Sequence, residues 1–169
     1  MENSILVVDD HQIIRDMLEN TLSRESYTVH CAGSAEEALK ILSQEPIDVV
    51  ISDEVMPGMT GTQFLAVVRK EYPDIIRIIL TGHASLESAM HAINEGKIYR
   101  FLTKPCNLVD LSVTIRQALQ EKYLTNENKR LAKIVKQQSF SLGEIEKEYP
   151  GITKVKRDSG GAIIIDDNE

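Results

Sequence analysis

A chain of 169 residues has room for one domain of ordinary size and an appendage, and too little for two large independent domains. With 42% hydrophobic and 27% charged residues, no apolar run of membrane-span length and no charged-then-apolar leader, it is expected to be cytoplasmic and without a membrane partner. A formal net charge of -7 argues against a broad nucleic-acid surface, whose affinity comes largely from Lys and Arg neutralising phosphates.

Ser4 to Val8 is an apolar, largely β-branched run that ends in Asp9 and Asp10, the plan of a buried strand with acids at its tip. Ile14, Leu18 and Leu22, supported by Ile13 and Met17, recur at helical spacing and predict an amphipathic helix. Tyr27 to Cys31 reads as a second strand, and Ser34 with Glu37 has the spacing of a capping box ahead of a helix carrying Ala38, Leu39 and Ile41 or Leu42. Val49, Val50 and Ile51 lead into Asp53, and Pro57 and Gly58 follow, so a third strand ends abruptly in a loop with Asp53 at its carboxyl end.

Phe64, Leu65, Val68 and Tyr72 form a third helical face, stopped by Pro73. Ile75 to Leu80 is a fourth strand ending in Thr81 and Gly82. Ser85 can cap a fourth helix with Leu86, Ala89, Met90 and Ile93, closed at Gly96. Ile98 to Leu102 is a fifth strand ending in Thr103, Lys104 and Pro105, and Asn107 or Asp110 begins a helix with Leu108, Leu111, Ile115 and Leu119 on one face. Five strand–helix units in about 120 residues fit one doubly wound parallel sheet of the α/β class. In such sheets chemistry gathers at the carboxyl edge.

Four strand tips deliver side chains to that edge: Asp9 and Asp10, Asp53, Thr81, and Lys104. Carboxylates crowded in one crevice repel, and a hard divalent cation with oxygen ligands relieves them; Mg²⁺ is the usual choice where phosphate oxygens complete the shell. No His/Cys set favours zinc, and Cys31 and Cys106 read as packed, reduced thiols. One carboxylate can then attack a phosphoryl group whose oxygens are neutralised by the metal and a Lys, with a Thr hydroxyl hydrogen-bonding the product and Gly82 leaving the donor room.

With these residues the chain resembles the receiver domain of bacterial two-component response regulators, over about residues 3 to 121. The resemblance implies a flavodoxin-like sheet of strand order 2-1-3-4-5 with helices on both faces. It implies Asp53 as phosphoacceptor, Asp10 as direct Mg²⁺ ligand, Asp9 acting through metal-bound water, and the Val55 carbonyl completing the metal site. Thr81 matches the hydroxyl that engages the phosphoryl group, Lys104 the cation that pairs with it, and Phe101 the switch aromatic that turns inward. The Lys104–Pro105 bond is similar to one the family holds cis, and a sensor histidine kinase is the implied donor. The residues alone also admit a phosphatase with an aspartyl-phosphate intermediate, although Val55 stands where those hydrolases carry a second Asp. A nucleotide or flavin binder lacks its Gly-rich loop in Asp9-Asp10-His11-Gln12. His83 is read as an exposed loop residue or a border of the site, and His11 as the start of the first helix. The two methionines of the loop 56–61 are read as packing.

From Leu119 the last helix has no early stop and is expected to run on over 122–148. Leu124, Asn128, Leu131, Val135, Gln138, Leu142 and Ile145 fall at heptad core positions, so a short coiled coil is one expectation and a helix folded back on its own domain another. Tyr149, Pro150 and Gly151 break the helix, and 149–169 reads as a β-hairpin of Ile152 to Lys156 and Ala162 to Ile165 around Asp158 to Gly161. Lys154, Lys156 and Arg157 come without a helix-turn-helix pattern, so no direct nucleic-acid contact is expected. A homodimer through the C-terminal helix or the face of the fourth predicted helix is expected, with the downstream partner unnamed and no output enzyme legible.

Overall fold

The computed structural model describes residues 3–82 and 98–150. In chain order these hold β1 (Ser4–Val8), α1 (Gln12–Ser23), β2 (Thr28–Ala32), α2 (Ala35–Gln44), β3 (Val49–Asp53), α3 (Gly61–Glu71), β4 (Ile76–Thr81), β5 (Arg100–Thr103) and α4 (Leu108–Glu148). The helix expected from Ser85, with His83, and the hairpin from Ile152 onward lie outside the described residues.

The five strands form one sheet of order β2-β1-β3-β4-β5 with every neighbouring pair parallel, as the resemblance implies. β1 and β3 are buried along their whole length, which is why they read as unbroken apolar runs and not as alternation. Successive residues point to opposite faces and feed two cores. Leu6, Val8, Val50 and Ile79 pack with Ala38, Leu42, Phe64, Leu65 and Val68 of α2 and α3. Ile5, Val7, Ile51 and Ile78 pack with Leu18 and Leu22 of α1 and Leu111, Ile115 and Ala118 of α4. The chain leaves β1 toward β2 and returns on the other side at β3, so a crevice opens at their carboxyl ends, between Asp9 and Asp53.

Several local expectations change. In α1 the buried stripe is Leu18 and Leu22 with Ile14 against it, whereas Ile13 is 82% and Met17 39% exposed. At 3.6 residues per turn Ile14, Leu18 and Leu22 keep to one line, and their apolar neighbours fall off it. The Ser34 hydroxyl does accept from Glu37 N, at 3.2 Å, but the Glu37 carboxylate accepts from Gly33 N at 2.7 Å, so the box is not reciprocal. A reciprocal box stands instead at Thr60 and Gln63, opening α3. Asn107, not Asp110, starts α4: its side-chain oxygen accepts from Val109 N at 3.0 Å.

α4 is 41 residues long, passes through Gly143 and stops before Tyr149 and Pro150. The chain divides into two compact units, Met1–Lys122 and Tyr123–Glu169. In the first, α4 is held by its buried Leu111, Ile115 and Ala118, by Tyr99 Oη donating to Glu121 Oε2 at 3.0 Å, and by Lys122 Nζ on Asp48 Oδ1 at 2.8 Å. In the second, Leu124, Leu131, Val135, Leu142 and Ile145 of the helix are all exposed. No described helix is long and apolar enough to cross a membrane.

Candidate functional site

β1 ends where Asp9 N donates to Ala32 O at 3.2 Å, which turns the Asp9 side chain into the crevice, 2% exposed. Asp53, the last residue of β3, is 6% exposed, and its Oδ1 accepts from Glu54 N at 2.9 Å. β4 delivers Thr81, fully buried, at the same edge; Lys104 N donates to Thr81 O at 2.8 Å, and this places the lysine beside it. The Lys104 ammonium bridges the two acids, 2.6 Å from Asp9 Oδ2 and 3.2 Å from Asp53 Oδ2. The following Lys104–Pro105 bond is cis.

Partial burial by itself would lower the Lys104 pKa, but the hydrogen bond to Asp9 and the charges of Asp9 and Asp53 outweigh it and hold the ammonium above its ordinary value. The lysine is therefore a fixed positive charge between two nearly dry carboxylates. Asp10 sits further out, with its Oδ1 2.9 Å from His11 Nδ1. The Asp9, Asp10, His11 and Asp53 ligand atoms all lie within 4.8 Å of one another. Three of these donors are carboxylates, which suits a hard divalent cation such as Mg²⁺, so the residues fit the cation that the resemblance implies.

The loop after Asp53 is built to hold that residue still. Glu54 turns away from the crevice and caps α3, its Oε2 accepting from Thr62 N at 2.8 Å and Thr62 Oγ1 at 2.7 Å. Gly61 N donates to Glu54 O at 3.0 Å, and a Cβ at Gly61 would stand 2.1 Å from the Asp53 carbonyl oxygen. Only glycine lets the helix come that close. Val55 is exposed, Met56 is buried in the core cluster and Met59 packs against it, so the loop methionines are packing residues. Phe101, half-buried on β5, rests on the same cluster. An added Cβ at Gly82 meets nothing within 4 Å among the described residues.

Thus Asp9, Asp10, Asp53, Thr81 and Lys104 share one sheet edge. Sequence reasoning missed Gly61, whose role depends on a close approach that no spacing announces. It also missed Arg15, which donates to the Asp9 carbonyl and to Gln12 Oε1 and so braces the turn after β1. His11 begins α1 as its N-cap, as its place after the acidic pair suggests, and its ring also joins the acids.

Residues 5–116 match the family described as response regulator receiver domain. The chain is 38% identical over 128 residues to the hydrogenase transcriptional regulatory protein HoxA of Cupriavidus necator, a match covering 76% of this chain and 26% of that protein. It is 29% identical over 166 residues to the DNA-binding transcriptional regulator NtrC of Proteus hauseri, covering 96% of this chain and 35% of that one. Among solved structures, the signal receiver domain of an HD domain-containing protein from Pseudomonas fluorescens Pf-5 superposes with a TM-score of 0.69 at 40% identity, covering 73% of this chain and 98% of that one. The chain therefore spans about a quarter to a third of the curated relatives it matches.

Proposed function

The chain belongs to the response regulator receiver domain family, whose work is phosphorylation-dependent two-component signalling, and on that premise we propose that Asp53 is its phosphoacceptor. The observation that carries this reading is the buried Asp9–Lys104–Asp53 bridge at the carboxyl edge of the sheet. A phosphohistidine of a sensor kinase is the donor: an Asp53 oxygen attacks phosphorus, the P–N bond breaks, and the electron pair returns to the imidazole. Lys104 neutralises the oxygens of the transferring group, and the Thr81 hydroxyl hydrogen-bonds the acyl phosphate. Asp9, Asp10, Asp53 and the Val55 carbonyl hold Mg²⁺, which supplies charge neutralisation of the phosphoryl oxygens when bound. The domain catalyses only its own phosphotransfer and dephosphorylation, in the cytoplasm.

Phosphorylation draws Thr81 toward the new anion and lets Phe101 turn further into the core, so the surface around β5 carries the state of Asp53. The exposed heptad positions Leu124, Leu131, Val135, Leu142 and Ile145 pair with a second copy of the chain, with Asn128 setting register. The test is light scattering with and without beryllofluoride plus Mg²⁺, with Asp53→Ala as control. A mimic-dependent rise from monomer to dimer supports assembly as the readout. A constant dimer makes the helix a permanent joint, and failure of the mimic to bind refutes the acceptor assignment.

A further inference from the structure

His11 is a poor choice for a helix N-cap, where short oxygen side chains satisfy the first free N–H groups. Its ring makes no capping bond at all. Capping therefore does not explain where the ring lies. The backbone does: His11 N donates to Asp9 Oδ1 at 2.9 Å, and this fold-back sets the ring over the acids. Nδ1 ends 3.2 Å from Asp9 Oδ1 and 2.9 Å from Asp10 Oδ1. Neighbouring ligands on an octahedral ion with bonds of about 2.1 Å stand about 3.0 Å apart, and opposite ones about 4.2 Å. The first separation matches the His11 contacts, and the 4.8 Å spread of the four donors closes with a shift of about half an ångström.

We propose that His11 Nδ1 is a fourth side-chain donor of the metal site, which raises the site's preference for a first-row transition cation such as Mn²⁺ or Ni²⁺ over Mg²⁺. The inference rests on the reading of Asp9, Asp10 and Asp53 as metal ligands. Mg²⁺ wants oxygen and keeps its waters, so a nitrogen donor adds little to its binding; imidazole strengthens the binding of transition cations in the order Mn²⁺, Co²⁺, Ni²⁺. Nδ1 lies within hydrogen-bond distance of both carboxylates, and which ring nitrogen carries the proton depends on the tautomer. Ligation through Nδ1 takes place in the tautomer that carries its proton on Nε2; the ring is 67% exposed, which leaves Nε2 open to solvent. In that tautomer the lone pair on Nδ1 is the ligand.

The experiment is calorimetric titration of the full chain with Mg²⁺, Mn²⁺ and Ni²⁺, beside His11→Ala, His11→Gln and Asp9→Asn, with paramagnetic broadening of the histidine ring signals by Mn²⁺ as a second readout. The expected result is that His11→Ala weakens Ni²⁺ about tenfold or more and Mn²⁺ less, while Mg²⁺ changes less than about twofold. His11→Gln, which keeps an N–H donor for the carboxylates, should match His11→Ala for Ni²⁺, and the His11 ring should broaden first. Equal losses for all three ions, no loss, or rescue by Gln overturns the proposal, because the ring is then a hydrogen-bond donor only. A parallel gain for all three also overturns it, since the ring is then a counter-cation. If Asp9→Asn leaves every affinity unchanged, the metal site itself has been misread; if it abolishes binding while His11→Ala has no selective effect, only the role of His11 fails.

Discussion

Gly61→Ala should be the most damaging single-methyl change in the first unit. The added Cβ would lie 2.1 Å from Asp53 O, 2.9 Å from Asp53 C and 2.9 Å from Glu54 Cα. An ordinary carbon–oxygen contact needs about 3.4 Å, so roughly 1.3 Å of space must open between α3 and the end of β3. All three obstructing atoms are backbone, and no side chain can rotate away. The helix start cannot retreat freely either, because Gly61 N is bonded to Glu54 O, and Thr62 N and Oγ1 to the Glu54 carboxylate. Overpacking ordinarily costs about 1–3 kcal/mol, and this site belongs at the top of that range, about 3 kcal/mol, or a fall of about 10–15 °C in Tm. Urea denaturation followed by circular dichroism measures it. Two other glycines act as controls. Gly58 has φ +83° and open space around it, so alanine there costs about 1–2 kcal/mol through backbone strain alone. Gly143, inside α4 and also uncrowded, should gain about 0.5–1 kcal/mol. If Gly61→Ala falls within 0.5 kcal/mol of wild type while the controls behave, on the ordinary scatter of about that size for harmless substitutions, the close packing of α3 on the end of β3 is wrong.

Lys104→Met removes the lysine cation from the buried Asp9 carboxylate and leaves its Oδ2 without that bond, which should cost about 2–3 kcal/mol near neutral pH. Because the folded-state pKa of Lys104 is raised, the stabilisation is complete below the ordinary lysine range and is lost as pH rises through the higher folded value. The difference between wild type and Lys104→Met should thus stay flat through neutrality and shrink only above about pH 10.4, read by urea midpoints at each pH. Burial, helped by Glu19, pushes the Cys31 thiol up to about 11, so its alkylation at pH 7 should run about a hundredfold slower than that of a peptide cysteine and climb until about pH 11. Rapid labelling of Cys31 at neutral pH would contradict its placement. Leu131→Asp and Val135→Asp, both at exposed positions, should leave the unfolding free energy from urea titration within about 0.5 kcal/mol of wild type yet dissociate any homodimer seen in sedimentation equilibrium.

What the sequence announced, and what it did not, follows from range. The tips of β1 and β3 were legible because fully buried strands are uninterrupted apolar runs, and the acids that end them stand out against that background. Asp9, Asp10, Asp53, Thr81 and Lys104 could be assigned to one edge because parallel strands joined by helices leave a single carboxyl edge. Ile13 and Met17 misled because five apolar residues within about three turns blur the helical stripe, and only packing against β1 and β2 selects Leu18 and Leu22. Ser34 and Glu37 have the right spacing for a reciprocal box, but spacing does not reveal that Gly33 N is the better-placed donor. Gly61, Arg15 and the His11 ring act through approaches of backbone and side chain that a linear pattern does not encode.

The central claim is that Asp53 accepts a phosphoryl group at a cation-dependent site, and the most direct measurement is intact-mass and peptide mass spectrometry after incubation with acetyl phosphate and Mg²⁺. One base- and hydroxylamine-labile phosphoryl group per chain, located on Asp53, absent with chelator and absent in Asp53→Ala, is the expected result. Labelling that persists in Asp53→Ala, or no labelling of a folded wild-type chain that binds Mg²⁺, would contradict it.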